Sequence, residues 1–393
     1  MNIHRNHLQF LINQLSPNGV EYKELGEVIK LEKGKQLNKE LLSENGTYPA
    51  YNGGVSYSGF TENYNYNENT VILSQGGASA GFVNFVSTKF YANAHCYVVL
   101  PKIEIVENRY VYHFLKLNQE KLTEKQHGAG IPALRTSEIL KLKIPLPPLA
   151  IQQEIVRILD SFTELEAELE AELEARKVQY NFYRDQLLST EKDVEWKTLG
   201  EVGTFIRGNG LPKSDFTETG VGCIHYGQIY TFYGTYTDTT KSFVSPETAK
   251  KLQKVQKGDV IITNTSENLE DVGKSVVWCG DEEIVTGGHA TIFKPKKITG
   301  KYFAYFTQTQ SFFNQKKKYA KGTKVIDVSA KDMNKILIPI PPLSEQERIV
   351  GILDKFDALV NSISIGLPAE IKARRQQYEY YRNLLLSFKE MGK

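Results

Sequence analysis

At 393 residues the chain is long enough for two or three domains, each with a hydrophobic core of its own. With 40% hydrophobic and 24% charged residues, the composition excludes a disordered or fibrous protein, and no apolar run is long enough to cross a membrane. The net charge of +2 is unusual for a protein that holds nucleic acid by charge alone, so the distribution of charge must decide that question.

The N-terminus, MNIHRNHLQF, lacks the apolar segment of a signal peptide, and we therefore expect a cytoplasmic protein. The three cysteines, Cys96, Cys223 and Cys279, are scattered and form no CxxC pair. They indicate neither a disulfide framework nor a zinc site, so no metal is expected.

The first predicted element is a short amphipathic helix in residues 1–18, with Leu8, Leu11, Ile12 and Leu15 at helical spacing. A segment that occurs twice follows it. VEYKELGEVIKLEKG, residues 20–34, has a second copy, VEWKTLGEVGTFIRG, in residues 194–208. Each half of the chain is therefore expected to open with the same turn and strand.

Residues 46–101 are rich in Gly, Asn, Tyr and Val, and short β-prone runs alternate with turn signals. They predict a curled, mostly β globule. Residues 110–124 have a helical pattern, and a glycine-bearing loop, HGAGIPALRTSEI, follows.

A proline-rich connector then leads into a helix, and this pair also occurs twice. IPLPPLAIQQEIVRILDSF in residues 144–162 returns as IPIPPLSEQERIVGILDKF in residues 338–356, 194 residues later. Proline pairs cannot continue a helix and favour an extended backbone before them. Each copy therefore predicts a stiff extended connector followed by an amphipathic helix, and a repeat of this length indicates a duplicated architecture.

The first of these helices contains the sequence ELEA three times in residues 164–175, and its apolar residues form a heptad seam with one extra four-residue step. In the second copy, Gly366, Leu367 and Pro368 should break the helix and restart it at the proline. The seam predicts a coiled coil between the two helices, and its spacer-helix positions are Leu165, Leu169, Leu173, Tyr180, Tyr183, Tyr378 and Tyr381.

These patterns predict an α+β protein. Two β-rich α/β globular domains would be separated by two long antiparallel helices that form a coiled coil, with an internal pseudo-twofold repeat. The predicted segments are an N-terminal helix in residues 1–18, which docks near the C-terminal helix, a first globular domain in 19–143, a connector and spacer helix in 144–190, a second globular domain in 191–337, and a C-terminal connector and helix in 338–393.

Motifs for catalysis are missing from the sequence. Gly273, Lys274 and Ser275 resemble the end of a phosphate-binding loop, but Asn268 occupies the position of its first glycine. No GxGxxG, HExxH or GxSxG motif is present, and neither is the Asn-Pro-Pro-Tyr type of tetrapeptide with which adenine N6 methyltransferases hold the target amino group. We therefore expect no catalytic residues in this chain.

His95 and His289 also lie 194 residues apart, each before a strand that ends in Pro-Lys. They could form a catalytic or base-reading pair. A histidine hydrogen-bonded at the root of a loop is the preferred interpretation, because no carboxylate or cysteine is repeated beside either one.

Loops that present polar and aromatic side chains from a β scaffold are the better candidates for reading DNA, although any one of these residues could equally be a solvated loop side chain. In the first half the candidates are Lys33, Lys35, Gln36, Tyr51, Asn52, Gln75, His127 and Arg135. In the second half they are Arg207, Asn209, His225, Tyr226, Gln228, Asn264 and Ser266, with a basic, phosphate-binding run of Lys316, Lys317, Lys318, Lys321 and Lys324.

The six glutamates in residues 164–174 would repel DNA, so the long helix that contains them is expected to be a spacer or a protein-docking surface.

The twice-repeated I-P-[LI]-P-P-L connector, the helix ending RxxQYxxYRxxLLS, the LGEV opening and the GLP break resemble the specificity subunit of type I restriction and modification systems. The resemblance covers the whole chain. It implies that each globular domain is a target recognition domain, which reads one half of a split, asymmetric site in double-stranded DNA, and that the helices fix the unread gap. It also implies two methyltransferase subunits that use S-adenosylmethionine, and restriction and translocation subunits that use ATP and Mg²⁺.

The ELEA run resembles four-residue repeats whose number sets the gap in some members of this family. Four helical residues turn the chain by about 400°, a net advance of roughly 40°. One base pair of DNA turns by about 34 to 36°. One ELEA unit is therefore expected to correspond to roughly one base pair.

Two other interpretations remain open on the sequence. If this chain were itself the methyltransferase or nuclease, the isolated chain would bind S-adenosylmethionine. If it were a coiled-coil scaffold whose globules bind protein, it would have no affinity for duplex DNA even with a methyltransferase partner, and the near-neutral charge keeps this interpretation open.

Overall fold

In the computed structural model the chain divides into two units, one formed by Met1–Glu168 with Ile371–Lys393 and the other by Leu169–Glu370. The structure describes residues 2–124, 133–189, 194–362 and 364–392, with side chains from His7 onward. His127, a predicted DNA-binding residue, lies outside the described residues. Each unit contains one of the predicted recognition domains together with flanking parts of the helices.

The first unit is built on a four-stranded antiparallel sheet with Ile29–Lys33 at one edge, then Cys96–Pro101, Thr70–Ser74 and finally Val83–Val86. Thr70–Ser74 is buried along its whole length, as its apolar sequence TVILS predicts. The other strands described in this unit are Glu21–Glu24, Tyr48–Tyr51, Gly59–Thr61, Tyr91–Ala92 and Lys143–Leu146. Its helices are Asn2–Leu15, Leu25–Val28, Asn108–Leu117, Gln119–Glu124 and Thr136–Leu140, with a 3₁₀ turn at Lys39–Leu41.

The second unit has two five-stranded sheets within its described residues. The first has the order Gly203–Arg207, Ala290–Pro295, Val260–Thr263, Ser275–Trp278 and Tyr236–Thr237. The second has the order Phe216–Thr217, Ser242–Val244, Val221–Ile224, Ile284–Thr286 and Gln253–Val255. The remaining elements are the strands Trp196–Thr198, Thr265–Ser266, Ile326–Asp327 and Leu337–Pro339, and the helices Leu199–Val202, Lys213–Asp215 (3₁₀), Tyr226–Thr231, Pro246–Ala249, Gly300–Phe306, Gln310–Lys317, Ala330–Met333 and Leu343–Asn361.

The duplicated opening strand pairs with the connector of its own half. Glu21–Glu24 is antiparallel to Lys143–Leu146, and Trp196–Thr198 is antiparallel to Leu337–Pro339. These are two-stranded sheets, in which a proline can occupy a strand without breaking a ladder on both sides. The prediction of an extended connector followed by a helix is confirmed, because helices begin at Leu149 and Leu343 directly after the second proline of each pair.

Each connector is held by a buried glutamine from the first turn of the helix that follows it. The side-chain amide of Gln152 donates to the carbonyls of Pro147 (2.8 Å) and Ile105 (3.1 Å), while its oxygen accepts from the N–H of Glu107. Gln346 repeats this arrangement with Pro341, Lys297 and Thr299. Both side chains are fully buried, so the hydrogen bonds satisfy them and fix the angle at which the chain enters the helix.

Leu149–Ser189, the central helix, is continuous for 41 residues. In the first unit it packs antiparallel to the C-terminal helix Leu367–Leu385, since Phe162 stacks on Tyr381 with ring centroids 5.3 Å apart and Glu166 pairs with Arg375. In the second unit Tyr180 and Tyr183 lie 6.3 and 6.0 Å from the ring of Phe356. Of the spacer positions, Tyr180 and Tyr378 are buried, Tyr183 is 39% exposed, and Leu165, Leu169, Leu173 and Tyr381 are half-buried.

The predicted break in the second rod is confirmed. The helix Leu343–Asn361 ends before Gly366, and the C-terminal helix begins at Leu367 with Pro368 in its first turn. Gly366 has a φ of +82°, and a Cβ atom there would lie 2.4 Å from the carbonyl oxygen of Ala358. Only glycine fits this turn without strain.

The N-terminal helix belongs to the same core as the end of the chain. Leu8 is buried in a cluster that includes Tyr378 and Leu386. Just beyond the helix, the N–H of Val20 donates to the carbonyl of Lys389 at 2.9 Å, and the hydroxyl of Tyr22 donates to the carbonyl of Phe388 at 3.0 Å. The two ends of the chain therefore lie side by side within the first unit.

Candidate nucleic-acid interface

In the first unit, three of the predicted DNA-reading loops converge on the turn formed by residues 92–96. The N–H of Gly34 donates to the carbonyl of Cys96 at 2.9 Å, and the N–H of Lys35 donates to the carbonyl of Ala92 at 3.0 Å. The N–H of Gln75 donates to the carbonyl of His95 at 2.8 Å. The N–H of Leu134 donates in turn to the carbonyl of Gln75 at 2.8 Å. Backbone groups make these bonds, and the side chain of Lys35 is exposed to solvent.

The second unit repeats this convergence around residues 287–290. The N–H of Gly208 donates to the carbonyl of Ala290 at 2.9 Å, and that of Asn264 to the carbonyl of His289 at 2.8 Å. Val328, the counterpart of Leu134, donates from its N–H to the carbonyl of Asn264 at 3.0 Å. The two loop clusters are therefore built by the same backbone bonds.

Glycines permit the close approach of these loops. Gly53 in the YNGG sequence has a φ of +78°, and a Cβ atom there would lie 2.7 Å from the carbonyl oxygen of His95. A Cβ atom at Gly208 would lie 2.0 Å from the carbonyl oxygen of Gly287. A side chain at either position would force the loops apart.

A cleft of about 630 Å³ opens at the loop cluster of the first unit, and its lining includes Gln36, Asn38, Lys39, Asn52 and His95. The side chains of these five residues are exposed. Amide, imidazole and ammonium groups of this kind make the hydrogen bonds with which proteins contact base edges and phosphates. The cleft thus gathers Gln36 and Asn52 from separate loops, as the sequence predicts, and adds Asn38 and Lys39.

In the second unit a row of rings lies at the corresponding place. The ring of His225 is 4.4 Å from that of Tyr226, which is 5.1 Å from that of His289. His225 is buried, and burial lowers the pKa of its imidazole, which stays neutral and caps the helix Tyr226–Thr231 by accepting from the N–H of Gly227. Tyr226 is half-buried and His289 is exposed, so these two rings face outward.

His95 and His289, the two histidines 194 residues apart, each lie in the loop cluster of their own unit. Their carbonyl groups fix the loops, which agrees with the preferred interpretation of residues at the root of a loop. Their rings are exposed, however, and His95 lines the cleft. His289 also has a φ of +64°, a conformation that is uncommon for non-glycine residues.

The structure places the predicted residues in three groups. Those with exposed side chains are Lys33, Lys35, Gln36, Asn52, Arg135, Arg207, Asn209, Lys317, Lys318, Lys321 and Lys324. Those that are half-buried are Tyr51, Gln75, Tyr226 and Gln228. Those that are buried are His225, Asn264, Ser266 and Lys316. Exposure is necessary for a contact with DNA, so the predicted contacts are wrong for the four buried residues.

Lys316 does not belong to the basic run that could bind phosphate. Only 3% of this residue is exposed, and its ammonium group donates to the carbonyls of Val272 (2.6 Å) and Glu270 (3.1 Å). Burial lowers its pKa to about 8. The predicted contact with DNA is therefore wrong for Lys316, because its ammonium group is buried and binds the loop at residues 270–272.

The predicted contacts with DNA are wrong for Asn264 and Ser266 for a similar reason. The side chain of Asn264 donates to the carbonyl of Val328 at 2.9 Å and accepts from the hydroxyl of Thr291 at 2.6 Å. Ser266 lies in a strand that pairs with Ile326–Asp327 and is buried there. Gln228 is partly committed as well, because its amide donates to the hydroxyl of Ser242 at 2.6 Å. These side chains build the loop cluster instead of facing out of it.

An aromatic surface that was not predicted from the sequence lies beside the cleft. Tyr51, which was predicted, lies edge-on to Tyr57 at 6.4 Å, and Tyr57 lies 4.8 Å from Phe60. These rings line a groove of about 490 Å³, and Tyr57 is largely exposed. The alternation of aromatic residues with Gly and Ser in residues 51–60 was the available signal.

A half-buried carboxylate fixes each recognition domain to its connector helix. Asp160 accepts from Nε2 of His113 at 2.8 Å and from the guanidinium of Arg109. Burial alone would raise the pKa of Asp160, but the hydrogen bonds from His113 and Arg109 outweigh it and hold the pKa below its usual range. In the second unit Asp354 accepts from Lys301 (2.7 Å) and from the hydroxyl of Tyr305 (2.6 Å).

The family model of the type I restriction modification DNA specificity domain matches residues 17–175 and 191–373, one match for each half. The chain belongs to this family. Each match begins before the opening strand of a half and runs past its connector, the first into the central helix and the second into the C-terminal helix. The duplicated segments of this specificity protein therefore coincide with two copies of the domain.

Curated relatives extend over nearly the full length. A putative type I restriction enzyme specificity subunit from Haemophilus influenzae is 31% identical, over 98% of this chain and 100% of the relative. A type I restriction enzyme specificity subunit from Escherichia coli is 33% identical, over 94% of both chains. These similarities place the specificity protein among subunits that recognise DNA.

Solved structures show the same fold. A type I restriction-modification S subunit from M. genitalium superposes with a TM-score of 0.59 at 21% identity, covering 94% of this chain and 96% of that one. A second structure, from work on assembly and conformational transition of the type I system, has a TM-score of 0.60 at 17% identity and covers 94% and 98%. Among the described helices of this specificity protein, none is both long and apolar enough to cross a membrane.

Proposed function

We propose that this chain is the DNA-reading subunit of a type I restriction-modification complex, in which each recognition domain reads one half of a bipartite, asymmetric site. The observation that carries the proposal is the loop cluster, built twice by the same backbone hydrogen bonds and presenting exposed polar side chains in both units. Rigid β scaffolds that present variable loops are a general solution to sequence recognition.

The helices serve as the spacer and as the docking surface for two methyltransferase subunits. Phe182 and Tyr380 occupy equivalent positions of the repeated helix sequence, and both are 63% exposed. Large aromatic side chains exposed at equivalent positions of a repeat suit two copies of one partner. We assign one methyltransferase subunit to each.

All catalysis is assigned to partner subunits. Methylation of adenine would use S-adenosylmethionine held by the methyltransferase subunits, and ATP and Mg²⁺ would serve the restriction and translocation subunits. The near-neutral charge of this chain fits such a division, because tight binding to DNA would require the phosphate contacts of the partners as well.

The test is an exchange of recognition domains, read out by mapping N6-methyladenine in a host genome that carries this chain and its methyltransferase partner. Replacing residues 20–140 with those of another family member should change one half of the methylated motif only. Replacing residues 195–334 should change the other half. A motif that changes in both halves after a single exchange would contradict the proposal, as would methylation that does not depend on this chain.

A further inference from the structure

Arginine is scarce in the recognition domains. Residues 191–337 contain one arginine, Arg207, and residues 19–143 contain two, Arg109 and Arg135. Arg109 is committed to the protein, since its guanidinium pairs with Asp160 and lies 4.2 Å from the ring centroid of Phe85. Each recognition domain therefore has a single arginine left for a ligand.

Both remaining arginines are exposed, and within the described parts of the chain the side chain of neither has a hydrogen bond or an ion pair. The other arginines of the second unit form ion pairs. Arg176, Arg184 and Arg348 pair with Glu172, Asp185 and Glu345, respectively. Arg135 and Arg207 are therefore presented to solvent without a carboxylate to satisfy them.

Both arginines lie in the loop clusters. Arg207 ends the strand Gly203–Arg207, opposite Thr291, and is followed by the Gly208 N–H that bonds to the carbonyl of Ala290. Arg135 directly follows Leu134, whose N–H is bonded to the carbonyl of Gln75. A backbone fixed on the inner side of each arginine directs a side chain with little loss of main-chain freedom on binding.

The chemistry of guanidinium separates these two residues from the lysines around them. A guanidinium group donates two parallel hydrogen bonds and matches O6 and N7 of guanine in the major groove, the commonest specific contact between protein and DNA. Lysines such as Lys33, Lys35 and Lys321 act as point charges and suit phosphates, which carry no sequence information.

We propose that Arg135 and Arg207 each read a guanine, one in each half of the site, while the exposed lysines of the same clusters contact phosphates. The inference rests on the proposed function and names the residues that determine specificity within it. The two arginines come from non-equivalent loops, since Arg207 corresponds to Lys33 and Arg135 to Ser329 in the other half. The guanine is therefore read at a different place in each half-site.

The experiment uses the full chain with its methyltransferase partner and maps N6-methyladenine for wild type, Arg207→Ala, Arg207→Lys, Arg135→Ala and Arg135→Lys. Each arginine variant should lose about 5- to 150-fold in discrimination at one G·C pair, in one half-site only. Lysine should not restore discrimination, because it keeps the charge and lacks the fork. Lys324→Ala is the matched control, for which methylation should fall evenly across sequences with an unchanged motif.

Three results would overturn the inference. The first is a wild-type half-site that contains no G·C pair, and the second is full discrimination in the lysine variants, which would indicate a phosphate contact. The third is an alanine variant that behaves like Lys324→Ala. A wild-type complex that yields no bipartite motif would instead refute the proposed function itself. Thermal unfolding of each variant, which should match wild type because both side chains are exposed, separates these results from misfolding.

Discussion

The hydroxyl group of Tyr378 lies 2.9 Å from Nδ1 of His113, so the C-terminal helix is bonded to a helix of the first recognition domain. Nε2 of the same imidazole is bonded to Asp160. A neutral histidine satisfies both contacts, because it donates from Nε2 and accepts from tyrosine at Nδ1. Burial lowers the pKa of His113 and keeps it in this form.

A pH dependence of stability follows from His113. Its pKa is lower in the folded than in the unfolded chain, so the unfolded chain binds more protons and stability falls as the pH drops below about 6.5. His113→Gln should flatten the free energy of unfolding between about pH 5 and pH 7, as measured by denaturant titration. Tyr305→Phe, the equivalent position in the second unit, should leave that slope unchanged, since the Tyr305 hydroxyl has a raised pKa and does not titrate there. Equal slopes in wild type and His113→Gln would contradict this role.

Removal of a connector glutamine should be costly. Gln152→Leu leaves two carbonyls and one N–H without their buried partner, and we expect a loss of roughly 2 to 4 kcal/mol in the free energy of unfolding. Gln153→Leu provides the control one residue away, because Gln153 is exposed and its replacement should change stability by less than about 0.5 kcal/mol. Chemical unfolding of both variants makes the comparison. Similar midpoints for the two would show that the buried amide does not hold the connector.

Substitution of Lys316 should affect the stability of the fold, whereas substitution of its neighbour Lys317 should affect DNA binding. Lys316→Met removes the donor for the carbonyls of Glu270 and Val272 and should cost about 2 to 3 kcal/mol of stability. Because the folded chain has a Lys316 pKa of about 8, lower than in the unfolded chain, the wild type should gain stability relative to this variant as the pH rises from about 8 to 10.

Lys317→Ala, at an exposed neighbour, should leave stability nearly unchanged and should weaken DNA binding by the complex in a salt-dependent way. The measurements are thermal unfolding and binding titrations at two salt concentrations. The assignment of Lys316 to the core would be wrong if its variant kept full stability and changed only the salt dependence of binding.

The length of the central helix should set the unread gap. Deleting residues 168–171 removes one ELEA unit from a continuous helix, and the net rotation of roughly 40° that is lost corresponds to about one base pair. Mapping of methylated adenine should show a gap one base pair shorter with both half-sites unchanged. A double change, Glu168→Gln with Glu170→Gln, keeps the length and should keep the gap. An unaltered gap after the deletion would refute the prediction.

The features that local sequence carries were predictable. The repeated LGEV openings, the proline connectors and the break at Gly366 each depend on the backbone preferences of a few neighbouring residues, and the structure has them where the repeat indicates. The capping role of His225 was also predictable from the local sequence, because Gln228 three residues later completes a reciprocal cap of the helix.

Features that depend on distant partners were not predictable. Ile284–Thr286 enters its sheet between Val221–Ile224 and Gln253–Val255, an order that no local pattern specifies. Lys316 stands in a run of three lysines and is buried because the carbonyls of a loop more than 40 residues earlier lie within reach of its ammonium group. For the recognition loops, the sequence identified the segments that converge, while tertiary contacts decided which of their side chains face outward.

The pairing of each opening strand with its own connector places the entry and exit of a recognition domain side by side, four residues in register between Glu21–Glu24 and Lys143–Leu146. The segments that form this strand pair are repeated in the two halves of this chain. A genetic crossover there would deliver a complete foreign domain with its ends already positioned for closure. The buried amides of Gln152 and Gln346 lie at the start of the helices that follow the paired strands. An exchange of the domain between the paired strands would leave these amides in place, so a new specificity would not require changes in the helices.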